Sequence, residues 1–189
     1  GAKFRYSNSG YAVLALIVEK LSGQTFAAYL RENIFAPLEM TNTLAYEKGI
    51  SEINQRAMGY RMEGERAVFS DQSLTSAVLG DGGIYSSIED LFKWEQALYT
   101  NKLVSAATLA QAFIPGTLHN GAKTEYGFGW FIDEYRGHKR ARHSGSTCGF
   151  RNEIQRYPED HFAVIILTNR AEPEVEALAN RLADLFLID

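Results

Sequence analysis

Residues 4–11 read FRYSNSGY, and the apolar run AVLALIV follows at once at residues 12–18. The phenol of Tyr6 and the carboxamide of Asn8 therefore stand immediately before a helix whose apolar residues are too continuous for a surface helix. The serine and asparagine residues between them are favourable helix N-caps, so the stretch is also typical of a well-capped helix start. Either way, two hydrogen-bonding side chains are predicted on a turn that is anchored in the core.

The first part of the chain, about 1–115, is predicted to be mostly helical. Its first helix should run from about Ser9 to Ser22, end at Gly23 and lie deep in the core. A small β-hairpin is indicated near residues 56–69, where apolar and polar residues alternate around a glycine. Three further helices are each indicated by a capping residue: Thr25, Ser86 in a capping box with Glu89, and Ser105.

The second part of the chain, about 124–189, changes to a period of two. We expect four successive strands joined by short turns, over residues 126–132, 138–143, 150–157 and 162–168. The last helix is amphipathic, and its apolar face is formed by Val175, Leu178, Leu182 and Leu185. The pattern predicts a single α+β domain over 1–189, with an antiparallel sheet flanked by helices.

Composition excludes several classes of function. The chain has 189 residues, of which 46% are hydrophobic, and this is enough for a sizeable core. The net charge is −4 and the basic residues are scattered, which argues against nucleic acid as a partner. No stretch has the roughly 18 consecutive apolar residues of a membrane span. No metal-ligand spacing or glycine-rich cofactor loop is present, so no metal or cofactor is expected.

A second stretch, HSGSTCGF at residues 143–150, changes the interpretation of the first. With both in view, the chain resembles the serine β-lactamase and penicillin-binding-protein superfamily, in its class C β-lactamase and D-alanyl-D-alanine carboxypeptidase branch. That family carries Ser-x-x-Lys, Tyr-x-Asn and a Lys/His-Thr/Ser-Gly strand, in this order. Tyr6-Ser7-Asn8 and His143-Ser144-Gly145 match the second and third motifs, whereas no serine is followed by a lysine three residues later. The resemblance implies that this chain is the C-terminal portion of a domain whose nucleophile lies further upstream, so that the fold is expected to be incomplete.

The resemblance implies catalytic roles for Tyr6 and Asn8. Tyr6 would be the general base in acylation and the proton donor to the leaving group, which requires that nearby positive charge lowers its pKa from about 10. By resemblance, the lysine of the missing motif supplies that charge. Asn8 would hold the substrate amide and the same lysine.

The resemblance also implies a substrate-binding role for the strand at residues 143–146. His143, Ser144 and Gly145 would hold an extended substrate along an exposed strand edge, and Gly145 would let its backbone approach closely. The backbone N–H of Ser146 would contribute catalytically by completing the oxyanion hole. His143 stands where β-lactamases have lysine and is similar to the variant of some D,D-peptidases and D-aminopeptidases. We expect Tyr6 and the residues from 143 onward to share one cleft.

The function implied is hydrolysis of an amide or ester through an acyl-enzyme. The substrate remains open among a β-lactam, a D-amino-acid peptide and a simple ester, and this chain alone is expected to be inactive. The alternative is a non-catalytic module of the same fold that binds peptide or peptidoglycan. The expected partners are the substrate, the missing N-terminal segment and a second copy through an exposed sheet edge, and the resemblance favours a periplasmic or extracellular location.

Overall fold

The computed structural model describes residues 1–73 and 78–187, so the last two residues of the predicted domain lie outside the description. In the first part of the chain, four short strands stand between an initial and a later group of helices, and a meander follows. The helices are α1 (Asn8–Ser22), α2 (Phe26–Leu30) continued by a π-helix (Arg31–Phe35), α3 (Ile88–Ala97), α4 (Ala106–Ala110) continued by a 3₁₀ turn (Gln111–Phe113), and α5 (Val175–Ala183). The strands are β1 (Leu44–Ala45), β2 (Tyr60–Glu63), β3 (Arg66–Phe69), β4 (Ile84–Tyr85), β5 (Phe131–Tyr135), β6 (His138–Thr147), β7 (Phe150–Tyr157) and β8 (Phe162–Thr168). The α+β class is confirmed.

The main sheet is an antiparallel meander in the order β5-β6-β7-β8. Strands β7 and β8 have the predicted bounds, because their alternating pattern is bounded by clear turn residues. The first strand was predicted from Tyr126, but it begins at Phe131. Between them the backbone turns, with φ of +78° at Gly129 and a hydrogen bond from the Gly127 N–H to the Trp130 carbonyl. The glycines therefore mark a turn that precedes the strand.

Side-chain caps begin three of the helices as expected, and the cap of a fourth helix differs from the prediction. Ser7 is extended and its Oγ accepts from the N–H of Gly10 at 3.1 Å, and Thr25 and Ser105 cap their helices in the same way. Helix α3 is capped by Ser87 and not by the predicted Ser86. The Ser86 hydroxyl instead lies 2.7 Å from that of Thr43. A tertiary hydrogen bond has displaced the cap by one residue.

Two apolar clusters form the core. One lies between the meander and α5 and contains Tyr157, Val164, Ile166, Val175, Ala179, Ala183 and Leu187. The other lies in the helical part and contains Leu30, Phe35, Leu38, Met40, Ala45 and Ala97. An ion pair between Arg156 on β7 and Glu95 on α3 connects the sheet to the helices at 3.1 Å, and both side chains are almost fully buried.

The β2–β3 hairpin, predicted near 56–69, packs against the turn between β6 and β7. The Gly149 N–H donates to the Ser70 carbonyl at 2.7 Å. A Cβ at Gly149 would lie 2.2 Å from the backbone N of Tyr60, so this close approach requires glycine.

Helix α1 is not buried as expected. Of its residues only Ala15 is buried, while one set of apolar side chains is 46–83% exposed: Val13, Leu14, Leu16, Ile17 and Leu21. We call this set the α1 apolar face. Among the described residues no single helix is long and apolar enough to cross a membrane, although α1 with Phe26–Phe35 passes that test as a pair bent by 79°.

Candidate active site

Tyr6 and Asn8 are positioned by the start of α1. Ser7 has extended backbone angles and caps the helix, which fixes the turn on which its two neighbours stand. Asn8 is the first helical residue, and Tyr6 lies just outside the helix with 48% of its surface exposed. The cap thus holds a phenol and a carboxamide side by side at an accessible position.

His143 lies where β6 loses its neighbour on one side. The pairing of β5 with β6 ends at Phe131 and Arg142, whereas the pairing of β6 with β7 continues to Thr147. Residues 143–147 are therefore paired in the described sheet through β7 alone. A strand segment of this kind has backbone groups along one edge that are available to an extended ligand.

The two distant stretches meet at one cleft of about 150 Å³. The ring centroids of Tyr6 and His143 are 6.0 Å apart. The cleft is lined by Tyr6, Asn8, Tyr11, Gly80, Asp81, Tyr126, Gly129 and His143. Three of the sequence-derived site residues are thus brought together, and their catalytic roles stay predictions.

Ser144, Gly145 and Ser146 do not line this cleft. They continue along β6, opposite Glu153, Asn152 and Arg151 of β7. Because side chains alternate along a strand, the two serine hydroxyls project from the sheet face opposite to that of the His143 ring. A backbone role for Ser146 does not depend on the direction of its side chain.

The hydrogen bonds of His143 define its tautomer. Its Nδ1 lies 2.7 Å from the carbonyl oxygen of Ser144, and a carbonyl can only accept, so Nδ1 carries the proton. Its Nε2 lies 3.0 Å from the hydroxyl of Tyr126, which is then the donor. Burial lowers the pKa of His143, and the charge of Arg142 acts in the same direction. The imidazole is neutral at pH 7.

Tyr6 and Tyr126 are held in their protonated form. Burial raises the pKa of Tyr6, and the neighbouring Tyr11 and Asp81 raise it further. Burial also raises the pKa of Tyr126, with added contributions from Tyr11 and Tyr6. A general base at Tyr6 needs the opposite shift. The described residues do not provide it, and the expectation that the missing motif supplies the required cation stays a prediction.

Sequence reasoning missed Tyr126, Tyr11 and Asp81. Tyr126 packs edge-on against Tyr6, with centroids 5.8 Å apart, and was assigned to a strand. The glycine spacing after it was the available signal for a turn. Asp81 follows Gly80, whose φ is +99°. A Cβ added at Gly80 would lie 2.5 Å from the Tyr11 carbonyl oxygen, so glycine is needed for this loop to pack closely against α1. Nothing in the local sequence identified that contact.

Comparison with known proteins agrees with this geometry. The sequence profile of the family described as Beta-lactamase matches residues 1–187. Penicillin-binding protein 4* of Bacillus subtilis is 35% identical over 179 residues, which cover 88% of this chain and 40% of that protein. A D-aminopeptidase of Brucella melitensis biotype 1 is 28% identical over 169 residues, which cover 89% of this chain and 32% of that protein. The chain therefore spans less than half the length of these relatives.

Solved structures show the same fold. The octameric penicillin-binding protein homologue from Pyrococcus abyssi superimposes with a TM-score of 0.86 at 28% identity, covering 99% of this chain and 43% of that one. The D-amino acid amidase from Ochrobactrum anthropi SV3 complexed with L-phenylalanine amide superimposes with a TM-score of 0.79, covering 97% and 57%. At 22% identity, the second likeness concerns the fold alone.

Proposed function

This chain belongs to the Beta-lactamase family, and from that premise we propose that it is part of a serine hydrolase that cleaves an amide or ester through an acyl-enzyme. Its relatives include penicillin-binding proteins and D-aminopeptidases. The proposal is supported by the cleft in which Tyr6, Asn8 and His143 meet. This cleft lies beside residues 143–147 of β6, which pair with β7 but not with β5. The serine and lysine of Ser-x-x-Lys are proposed to come from an upstream segment.

In the proposed reaction, the lysine of Ser-x-x-Lys stabilises the phenolate of Tyr6, and the serine Oγ bonds to the substrate carbonyl carbon while its proton passes to that phenolate oxygen. The bond from that carbon to the leaving nitrogen or oxygen then breaks with its electron pair, and Tyr6 returns the proton to the leaving atom. Asn8 holds the substrate amide, and the Ser146 N–H stabilises the oxyanion. Water repeats the sequence on the acyl-enzyme and releases the acid.

His143, Ser144 and Gly145 are proposed to position the substrate along β6. Because His143 is neutral, it serves as a hydrogen-bonding group and not as a fixed positive charge. This differs from a lysine at the same place, which would attract a substrate carboxylate. The native substrate is accordingly proposed to be a D-amino-acid peptide, amide or ester in preference to a β-lactam.

The test uses this chain and a longer protein that includes the upstream sequence. Turnover of nitrocefin, D-alanine p-nitroanilide and p-nitrophenyl acetate is measured for both. We expect hydrolysis by the longer protein only, and its loss in Tyr6→Phe but not in the matched control Tyr29→Phe, whose tyrosine packs in the helical core. Sustained hydrolysis by this chain that Tyr6→Phe abolishes would show that another serine is the nucleophile. Absence of Ser-x-x-Lys upstream would favour the non-catalytic binding module.

The upstream segment is also proposed to cover the α1 apolar face. Side chains such as Leu16 and Leu21 are 61% and 83% exposed there, and an exposed cluster of this kind is typical of a surface that binds another segment. We expect this chain alone to self-associate and the longer protein to bury the face. Light scattering over a concentration series tests this, and a stable monomer of this chain at high concentration would contradict it.

A further inference from the structure

The described lining of the cleft differs in charge from that of a site for carboxylate ligands. Asp81 is the one carboxylate among its lining residues, and neither lysine nor arginine is among them in the described part of the chain. The Asp81 side chain is exposed, and it has no ion-pair partner within residues 1–73 and 78–187. Its charge acts directly on the phenol of Tyr6.

The nearest arginine on β6 does not compensate for this charge. The guanidinium of Arg142 contacts Asp133 at 2.9 Å and Glu176 of α5 at 3.1 Å, on the sheet face that carries α5. His143 adds no charge either, since its Nε2 accepts from Tyr126 and its Nδ1 donates to a carbonyl. The described wall of the cleft therefore carries one negative charge at neutral pH.

We propose that Asp81 is a specificity-determining residue that binds the ammonium group of a substrate. The substrate class is then an amino-acid amide, or a peptide with a free amino terminus. A free carboxylate, as in a β-lactam antibiotic or a peptide with an unblocked carboxyl end, is repelled by the same charge. The inference rests on the proposed function only in taking this cleft as the place where the substrate lies.

The position of Asp81 is built into the fold. Gly80 has a backbone conformation suited to glycine and leaves no room for a Cβ against α1, which brings residue 81 to the mouth of the cleft next to Tyr6 and Tyr11. Backbone packing thus places residue 81 in the lining of the cleft that also contains Tyr6. An ammonium ion bound there would lie within the cleft that contains Asn8 and His143.

The test measures binding to the 189-residue chain by NMR titration of the backbone amides of the cleft. Three ligands differ mainly in charge: D-alaninamide (cationic), N-acetyl-D-alaninamide (neutral) and N-acetyl-D-alanine (anionic). We expect the cation to bind about three- to fivefold more tightly than the neutral ligand, as for an exposed ion pair, and the anion to bind more weakly. Added salt should reduce the difference.

Two variants separate the role of Asp81 from that of overall charge. Asp81→Asn should make the cationic and neutral ligands bind equally, whereas Glu65→Gln, which removes an exposed carboxylate from the β2–β3 turn, should leave the order unchanged. Equal affinities for all three ligands, an order that survives in Asp81→Asn, or no saturable shift with any ligand would each overturn the inference.

Failure of the inference is distinguishable from failure of the proposed function. If the longer protein hydrolyses D-alanine p-nitroanilide and its N-acetyl derivative equally well, the hydrolase proposal stands and the Asp81 assignment fails. If the longer protein hydrolyses neither while this chain still prefers the cation, the binding role stands and the hydrolase proposal fails.

Discussion

Replacing Tyr126 by phenylalanine is expected to raise the pKa of His143. The hydroxyl of Tyr126 donates to the His143 Nε2 at 3.0 Å, and in this direction the bond exists only while that nitrogen is unprotonated, because a protonated Nε2 requires the hydroxyl to turn and accept. Tyr126→Phe removes the donor and keeps the ring. The ring should still pack against Phe131 and Phe4, whose ring centroids lie 4.8 Å and 5.5 Å from its own, so the burial of the imidazole should change little.

The size of the effect follows from the single bond that is lost. A neutral hydrogen bond contributes about 0.5–1.5 kcal/mol net, and donation from Tyr126 gives this to the unprotonated ring, so this range is the upper size of the effect. Since about 1.4 kcal/mol corresponds to a factor of ten in an equilibrium constant, the proton affinity of His143 should increase roughly two- to tenfold. Burial still acts against protonation, so the pKa should remain below its usual value.

The assay is an NMR pH titration of the histidine ring resonances in this chain. His138 provides an internal control in the same spectra, because its ring contacts Asp160 at 2.9 Å and not the cleft. Ring nitrogen shifts should also report the proton on Nδ1 in the unsubstituted chain. An unchanged titration of His143 in Tyr126→Phe, with the fold intact, would refute the claim that this hydroxyl donates to Nε2.

A consequence for stability has a definite sign. The pKa of His143 is lower in the folded state than in the unfolded state. Below about pH 6.5 the unfolded chain therefore binds more protons than the folded chain, and the free energy of unfolding decreases as pH falls through that range. The loss should be smaller in Tyr126→Phe. Chemical denaturation at pH 5 and pH 8 measures the difference.

Three further outcomes are expected. Burial raises the pKa of Glu153, whose Oε2 has no hydrogen-bond partner among the described residues, so the folded chain loses stability as pH rises above about 4.5; melting curves should show that Glu153→Gln suppresses this loss. Glu95→Ala leaves the buried Arg156 unpaired and should cost about 3–5 kcal/mol in denaturation, whereas the apolar double variant Glu95→Leu/Arg156→Met should cost much less. Gly149→Ala should destabilise by about 1–3 kcal/mol through its clash with backbone, while Gly145→Ala, whose Cβ would lie 3.5 Å from Asn152, should fold normally but lower turnover in the longer protein.

Each of these expectations has a contradicting result. A melting profile of Glu153→Gln that runs parallel to the original would mean that Glu153 does not bind a proton on folding. If the double variant is as unstable as Glu95→Ala, packing and not the uncompensated charge dominates at that position. Full turnover in Gly145→Ala would argue against close approach of substrate along β6.

Local rules explain why much of the fold was predictable. The caps at Ser7 and Thr25 depend on hydrogen bonds that reach only three residues, and the bounds of β7 and β8 depend on side-chain alternation between clear turns. The predicted cap of α3 was wrong because the Ser86 hydroxyl forms a hydrogen bond with that of Thr43, which is 43 residues away in sequence. The predicted start of β5 was wrong because glycine residues are compatible with both a twisted strand and a turn.

The sequence by itself indicated the α+β class, because helix periodicity and strand alternation are properties of neighbouring residues. The resemblance carried by its two motifs indicated the family and three of the residues that meet in the cleft. Only the tertiary structure decided that Tyr126 bonds to His143, that Asp81 lies beside Tyr6, and that the α1 apolar face stays exposed within this chain. These contacts join residues that are far apart in sequence. They depend on how α1, the turn before β5 and the edge of β6 pack together. None of these three segments specifies that packing through its own sequence.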